Sequence, residues 1–535
     1  MTRWRIIVGL LGLLLAGLPL AALLPEMWFG ITSPSLWHES QRMGQLARNS
    51  LALSGAVLAI AMPLGVAGAV LIFRTDLPGR SVLRFLAMLS LFVPLPLIAT
   101  AWQMVYSWWT GHQLWLSGLA PAIVVHATLA WPWIVVLVGL GLTWVEPELE
   151  EDALLAAPPW RVLLSVTLRR AAPAIGLAAV AAALLTLNEI AVTDRFQVRT
   201  FAEEVYSQFV GGHNEVAVAL PQATLAIALL WVAVSRWRQS APSRQHLLKA
   251  QRVFPLRRLR WPVAAVVTAL ALAIVGLPLA GLAWKAGLHY GDTAHPGSPV
   301  WDGSLLIARL GTTLRRQTPL LFLTVWVALL TGALTAIAAL LLCWLARDSR
   351  WFERTLWIGA AIFWALPGPV VGLGLLQAIE FLLDVPGGEW LKPLLYSRPS
   401  PWPHVWVCGL RFMPIALAGL WPLVRLLPKE LDDTAILDGL SPWQRLTRIV
   451  IPLLFVPLLW ATLGVSVLTL GEVSATKLLE TPDFKLLAKH VFELMHSSAD
   501  TEVAALCLVW LGLVALGGTV IVLIQPWMRR ALARW

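Results

Sequence analysis

The chain has 535 residues, 58% of them hydrophobic and only 13% charged, with a mean hydropathy of +0.74. A water-soluble domain of that make-up has too few polar groups to cover its own surface, so the expected solvent is the bilayer. The formal charge of +10 does not point to nucleic acid, because the basic residues follow a membrane topology rather than forming one patch.

A spanning helix needs about 20 mainly apolar residues, since in hydrocarbon every backbone N–H and C=O must be paired within the segment. Twelve stretches qualify: 6–24, 50–73, 82–105, 119–144, 172–192, 217–235, 262–283, 320–344, 356–382, 405–424, 453–471 and 503–524. With both termini placed in the cytoplasm, Lys and Arg are twice as frequent on the inner segments as on the outer loops, as the positive-inside rule expects. Many of the 30 Trp residues (Trp28, Trp108, Trp109, Trp284, Trp527) fall near span ends, where an amphipathic ring sits at headgroup depth. Cys343, Cys408 and Cys507 share no metal-like spacing, so neither a disulfide framework nor a zinc site is expected.

The N-terminus, two Arg followed by an apolar run, has the look of a secretory leader. However, Gly17-Leu-Pro-Leu-Ala-Ala-Leu23 recurs as Gly276-Leu-Pro-Leu-Ala-Gly-Leu282 in the seventh stretch, which predicts a retained helix over 6–24. The match continues as an internal repeat. Pro94 and Pro96 correspond to Pro367 and Pro369, 273 residues on, and Leu187-Asn-Glu189 corresponds to Leu470-Gly-Glu472 at a separation of 283. Two copies of six spans have the same orientation in the bilayer, so the expected organisation is a first half at 1–235, a basic cytoplasmic linker at 236–260 and a second half at 261–535. The linker carries eight Lys and Arg and no acid, which suits contact with anionic headgroups.

Between the fourth and fifth spans lies Glu148-Leu-Glu-Glu151-Asp-Ala153-Leu-Leu-Ala-Ala157, and between the tenth and eleventh lies Glu430-Leu-Asp-Asp433-Thr-Ala435-Ile-Leu-Asp-Gly439. The second runs on to Ile449-Val-Ile-Pro452. Acidic residues suit the positive end of a helix, Gly439 permits a turn that a Cβ resists, and Trp443, Leu446, Ile449 and Val450 fall at helical spacing. The expected product is an amphipathic helix-turn-helix at the inner membrane face.

Asp433-Thr-Ala435, Gly439 and Ile449-Val-Ile-Pro452 resemble the EAA loop of ABC-importer permeases. The first copy departs from that pattern: Ala157 stands for the Gly, the spacing to Val166-Thr-Leu168 is one residue short, and Arg169 stands for the closing Pro. Over nearly the whole chain the sequence looks like fused permeases of the ferric-iron and thiamine importers. The stretch from Leu470 through Cys507 is more similar to the iron type. The resemblance implies an all-α membrane protein of about twelve transmembrane helices in two parallel-repeat halves, the type I importer permease fold, in the bacterial inner membrane. It also implies that Glu148, Glu151, Ala153, Ala157, Glu430, Asp433, Ala435, Gly439, Ile449 and Pro452 couple to an ATPase subunit, present as a pair. A periplasmic or lipid-anchored binding protein is the further partner implied.

No Gly-x4-Gly-Lys-Ser/Thr loop occurs, so ATP and Mg are expected to act in the partner and no cofactor is expected on this chain. Charges at span ends are costly and mark candidate pathway residues. Glu189 and Glu472 occupy equivalent positions and are expected to form an acidic vestibule for a cationic substrate, ferric iron first and thiamine next; Asp194 and Arg411 are their unmatched neighbours. The competing class is an ion-gradient-driven secondary transporter, which needs no paired coupling loops. A lipid-carrier transferase would need a catalytic cluster that the sequence does not display.

Overall fold

A computed structural model describes residues 2–32, 40–93, 95–110, 117–210, 219–239, 253–289, 300–479, 481–496 and 500–532. Pro94 and most of the expected linker lie outside them, as do the side chains of Trp108 and Trp527.

The chain is predominantly helical. In order, it forms α1 (Thr2–Gly12), a π-turn (Leu13–Gly17), α2 (Leu18–Thr32), α3 (Ser40–Arg74), α4 (Arg80–Ser90), α5 (Leu95–Thr110), α6 (Leu119–Leu142), α7 (Pro147–Ala156), α8 (Ala172–Leu187), α9 (Phe201–Val210) and α10 (Leu220–Gln239). There follow α11 (Arg260–Ala271), a second π-turn (Leu272–Gly276), α12 (Leu277–Gly287), α13 (Gly303–Ala346), α14 (Arg350–Ala365), α15 (Gly368–Asp384), α16 (Trp402–Arg425), α17 (Lys429–Leu437), α18 (Phe455–Gly471), α19 (Leu487–His496) and α20 (Asp500–Leu532). Leu288–His289 and Val300–Trp301 pair as a two-residue antiparallel ribbon.

Among the described residues seven helices are long and apolar enough to cross a membrane, or ten when each bent pair counts as one span. Among the described residues ten of the twelve expected spans are thus met at most, and the differences are local. Stretch 82–105 is divided between α4 and α5, and within 217–235 the described apolar helix is Leu220–Arg236. Stretch 356–382 is two helices meeting at 110° around Pro367, which lacks the N–H that would continue α14. The stretches 172–192 and 453–471 belong to pairs bent by 64° and 78°. Other expected spans are too short: α3 begins ten residues before its apolar stretch, and α13, at 44 residues, extends to about 66 Å at 1.5 Å per residue, well beyond the hydrocarbon.

Two triads form the framework. α3, α6 and α8 pack together, and so do α13, α16 and α18, their counterparts in the sequence repeat. Outside the triads the copies also exchange helices, since α2 lies on α15 and α12 lies on α5. Two apolar cores result, one around Leu53, Ile134, Ala178 and Trp510 and the other around Leu23, Leu340, Val407 and Val465. The two π-turns sit at matching places just before Pro19 and Pro278. Pro19 cannot donate to the carbonyl of Leu15, and the indole N–H of Trp406 does so instead at 2.9 Å.

Candidate functional site

The two loops singled out in the sequence share one build. In the first, α7 is followed by the short helix Pro159–Val162, a π-turn (Leu163–Thr167), Leu168–Arg170 and a bend into α8. In the second, α17 is followed by Pro442–Arg445, a π-turn (Leu446–Val450), Ile451–Leu453 and a bend into α18. The π-turns stand 283 residues apart, the same separation as Glu189 and Glu472.

The turns between the arms differ. α17 ends in a Schellman motif: the N–H of Leu440 donates to Ala435 O and the N–H of Gly439 to Ile436 O, both at 3.0 Å, with Gly439 at φ +77°. Ser441 then opens the second arm through a capping box, its hydroxyl accepting from Gln444 N while the Gln444 side chain accepts from Ser441 N. In the first loop Ala157 caps α7 in extended conformation, φ −144° and ψ 150°, with Pro158 directly after it. The first turn is two residues shorter, so no residue takes the left-handed place of Gly439. That removes the need for glycine and explains the departure seen in the sequence.

Of the residues expected to couple, Glu151, Glu430, Asp433, Gly439 and Pro452 are exposed, Glu148, Ala153, Ala157 and Ile449 are half-buried, and Ala435 is buried. The acids that hold the loops in place are neighbours that the motif did not single out. Glu150 is fully buried, forms an ion pair with Arg74 at the end of α3 and accepts from the Thr167 hydroxyl at 2.6 Å. Asp432 pairs with Arg347 just past α13 at 2.9 Å and lies 3.9 Å from Arg445 of its own second arm. Each Arg also donates to a carbonyl next to the preceding span, Arg74 to Leu142 O and Arg347 to Leu427 O. In both loops, therefore, one acid ties the first arm to the second and to the end of the long helix.

Beside its exposed acids, each loop presents an apolar tip. Leu155 and Leu437 occupy matching places near the ends of α7 and α17 and are 89% and 87% exposed, more than any other large hydrophobic residue described. Trp160 and Trp443 in the second arms are both more than half exposed. A leucine held at the tip of an anchored loop has the form of a contact for another protein. The arginine anchors and the leucine tips had a sequence signal, since each recurs at the spacing of the repeat.

Glu189 and Glu472 lie just past the ends of α8 and α18 and are brought within electrostatic reach of each other and of Arg411. Neither is a free vestibule charge. Glu189 accepts from the N–H groups of Ala191 and Val192 at 2.6 and 2.9 Å, and Glu472 accepts from Ala475 N at 2.8 Å. Glu472 is also paired with Arg411 at 3.2 Å. Arg411 reaches the carbonyl of Asn188 at 3.3 Å, and Gly368 makes its room, because a Cβ there would overlap the guanidinium. Asp194 lies instead beside Glu203 of α9, outside the spans; burial first, then Glu204 and Asp194, push the Glu203 carboxyl up to about 7.

No family model matches the sequence. The chain is 27% identical over 209 residues to the molybdenum transport system permease protein ModB of Escherichia coli (strain K12), a match covering 35% of this chain and 90% of ModB. It is 26% identical over 223 residues to a protein of Salmonella typhimurium (strain LT2) named as the 2-aminoethylphosphonate transport system permease protein PhnV, covering 41% of this chain and 72% of PhnV. Its relatives are transport permeases. With the apolar helices, this makes the chain similar to multi-pass transport proteins rather than to enzymes. The relatives are named for molybdenum and 2-aminoethylphosphonate and give no support to ferric iron or thiamine as cargo. The pairing of Glu472 with Arg411 offsets one of the two acids.

Proposed function

We propose that the chain is the fused permease of a binding-protein-dependent ABC importer, two six-span halves at 1–235 and 261–535 joined by the basic stretch 236–260. The observation that carries this is the pair of anchored loops, each ending in an exposed leucine. ModB matches over 90% of its own length and 35% of this chain, which leaves room here for a second such unit. The repeated triads and the separation of 283 residues support the same division.

In this reading Leu155 and Leu437 seat in two ATPase subunits that bind ATP and Mg, and the chain itself binds no cofactor. Both termini lie in the cytoplasm of a bacterial inner membrane, and a periplasmic or lipid-anchored protein delivers the cargo. Closure of the ATPase pair favours one arrangement of the two triads through its differential affinity for it. Glu189 and Glu472 form the wall of the pathway, held there by their caps and by Arg411.

The test is to reconstitute the chain with its ATPase subunits and measure ATP hydrolysis and uptake with binding proteins loaded with molybdate or 2-aminoethylphosphonate. ATP-dependent uptake stimulated by one of them is expected. Uptake by the chain alone on a proton or sodium gradient would overturn the reading in favour of a secondary transporter.

A further inference from the structure

Each copy of the repeat is preceded by a short lead-in, residues 2–5 before the first and residues 253–256 before the second. The second lead-in docks on the first copy. The N–H of Phe254 donates to Arg74 O at 2.7 Å, the N–H of Leu256 donates to Asp76 Oδ1 at 2.8 Å, and Thr75 and Phe254 form a parallel bridge. The Phe254 ring is buried and lies 5.8 Å from the Arg74 guanidinium. That guanidinium is the one that grips Glu150 in the first loop. The first lead-in makes the reciprocal contact, with Trp4 stacked on Trp443 of the second loop at 6.4 Å and an interplanar angle of 20°.

We propose that the lead-ins are cross-braces: the segment entering each copy positions the coupling loop of the other, through Phe254 in one direction and Trp4 in the other. This rests on the reading of the two loops as ATPase contacts. A loop that moves with its ATPase then displaces the first span of the opposite copy, so neither copy responds alone. The braces differ in strength. In the second lead-in the N–H groups of Phe254 and Leu256 add to a buried ring, whereas Trp4 and Trp443 are 42% and 55% exposed and meet by stacking.

The test is hydrogen exchange on the full chain in lipid nanodiscs. Phe254→Ala is expected to speed exchange of residues 147–156 by about tenfold while residues 429–437 stay within about twofold of the wild type. Trp4→Ala is expected to act on residues 441–450 alone, by about threefold, and Phe254→Tyr to restore the wild-type pattern. Asp76→Ala, which removes only the acceptor of the Leu256 N–H, gives a second route to the first loop if Phe254→Ala does not assemble. Equal loosening of both loops in any variant, or no change in either, overturns the proposal. ATPase binding is measured separately: if ATPase subunits fail to bind while the selective pattern appears, the docking reading falls and the braces stand.

Discussion

Arg74 and Glu150, 76 residues apart in sequence, form an ion pair that is almost completely withdrawn from solvent, 1% and 0% exposed. Its counterpart, Arg347 with Asp432, is more open, at 7% and 21%. Removing one partner of a buried pair strands the other charge, whereas a half-open pair can recruit water. Arg74→Met is therefore expected to cost about 3–5 kcal/mol in detergent unfolding, and Arg347→Met clearly less. The double variant Arg74→Met with Glu150→Met should recover part of the loss. Equal costs for the two arginines would contradict this account of the anchors.

Leu155 and Leu437 touch little of their own chain, so Leu155→Asp and Leu437→Asp should leave thermal stability within about 0.5 kcal/mol of wild type. Each should weaken capture of the ATPase subunits at least tenfold, and the pair of changes should abolish it. Retained capture by the double variant would show that the tips are not the contact.

Gly439 sits at φ +77°, a region that L side chains reach at a cost of about 1–2 kcal/mol and β-branched ones resist most. Ala157 is extended, where valine is at ease. Gly439→Val should lower transport-coupled ATP hydrolysis, and Ala157→Val should leave it near wild type. The comparison of the two rates checks it.

Glu203 supplies a pH dependence. Its carboxyl is raised to about 7 in the fold from an ordinary 4.5, so the fold prefers the neutral acid. Stability from this residue is complete below about 4.5 and is lost as pH rises through about 7. The melting temperature of the wild type should therefore fall across that interval relative to Glu203→Gln, which cannot ionise. Parallel pH profiles for the two proteins would rule this residue out as the cause.

Much of the loop architecture was legible in the residues. Gly439, Ser441 and Gln444 specify a helix stop and a helix start through backbone chemistry confined to a few neighbours, and the structure forms both. The repeat announced the equivalence of Glu189 with Glu472, and the structure adds matching π-turns to it. Less legible were the breaks within apolar stretches. Hydropathy sums over a window and does not register that Pro367 or Ala171 turns the chain, which is why stretches that look continuous are bent pairs.

By itself, then, the sequence determined the solvent, the helical class, the repeat and the two loops, because these depend on composition and on contacts a few residues apart. The tertiary structure decided which charges are matched. Glu472 meets Arg411, Glu150 meets Arg74 and Asp432 meets Arg347 only once helices distant in the chain are packed together. The same packing turned an expected acidic vestibule into a capped and paired cluster, and laid Phe254 against the anchor of the opposite copy. In a low-dielectric interior the partner of a charge fixes its role, and partners are a property of the fold.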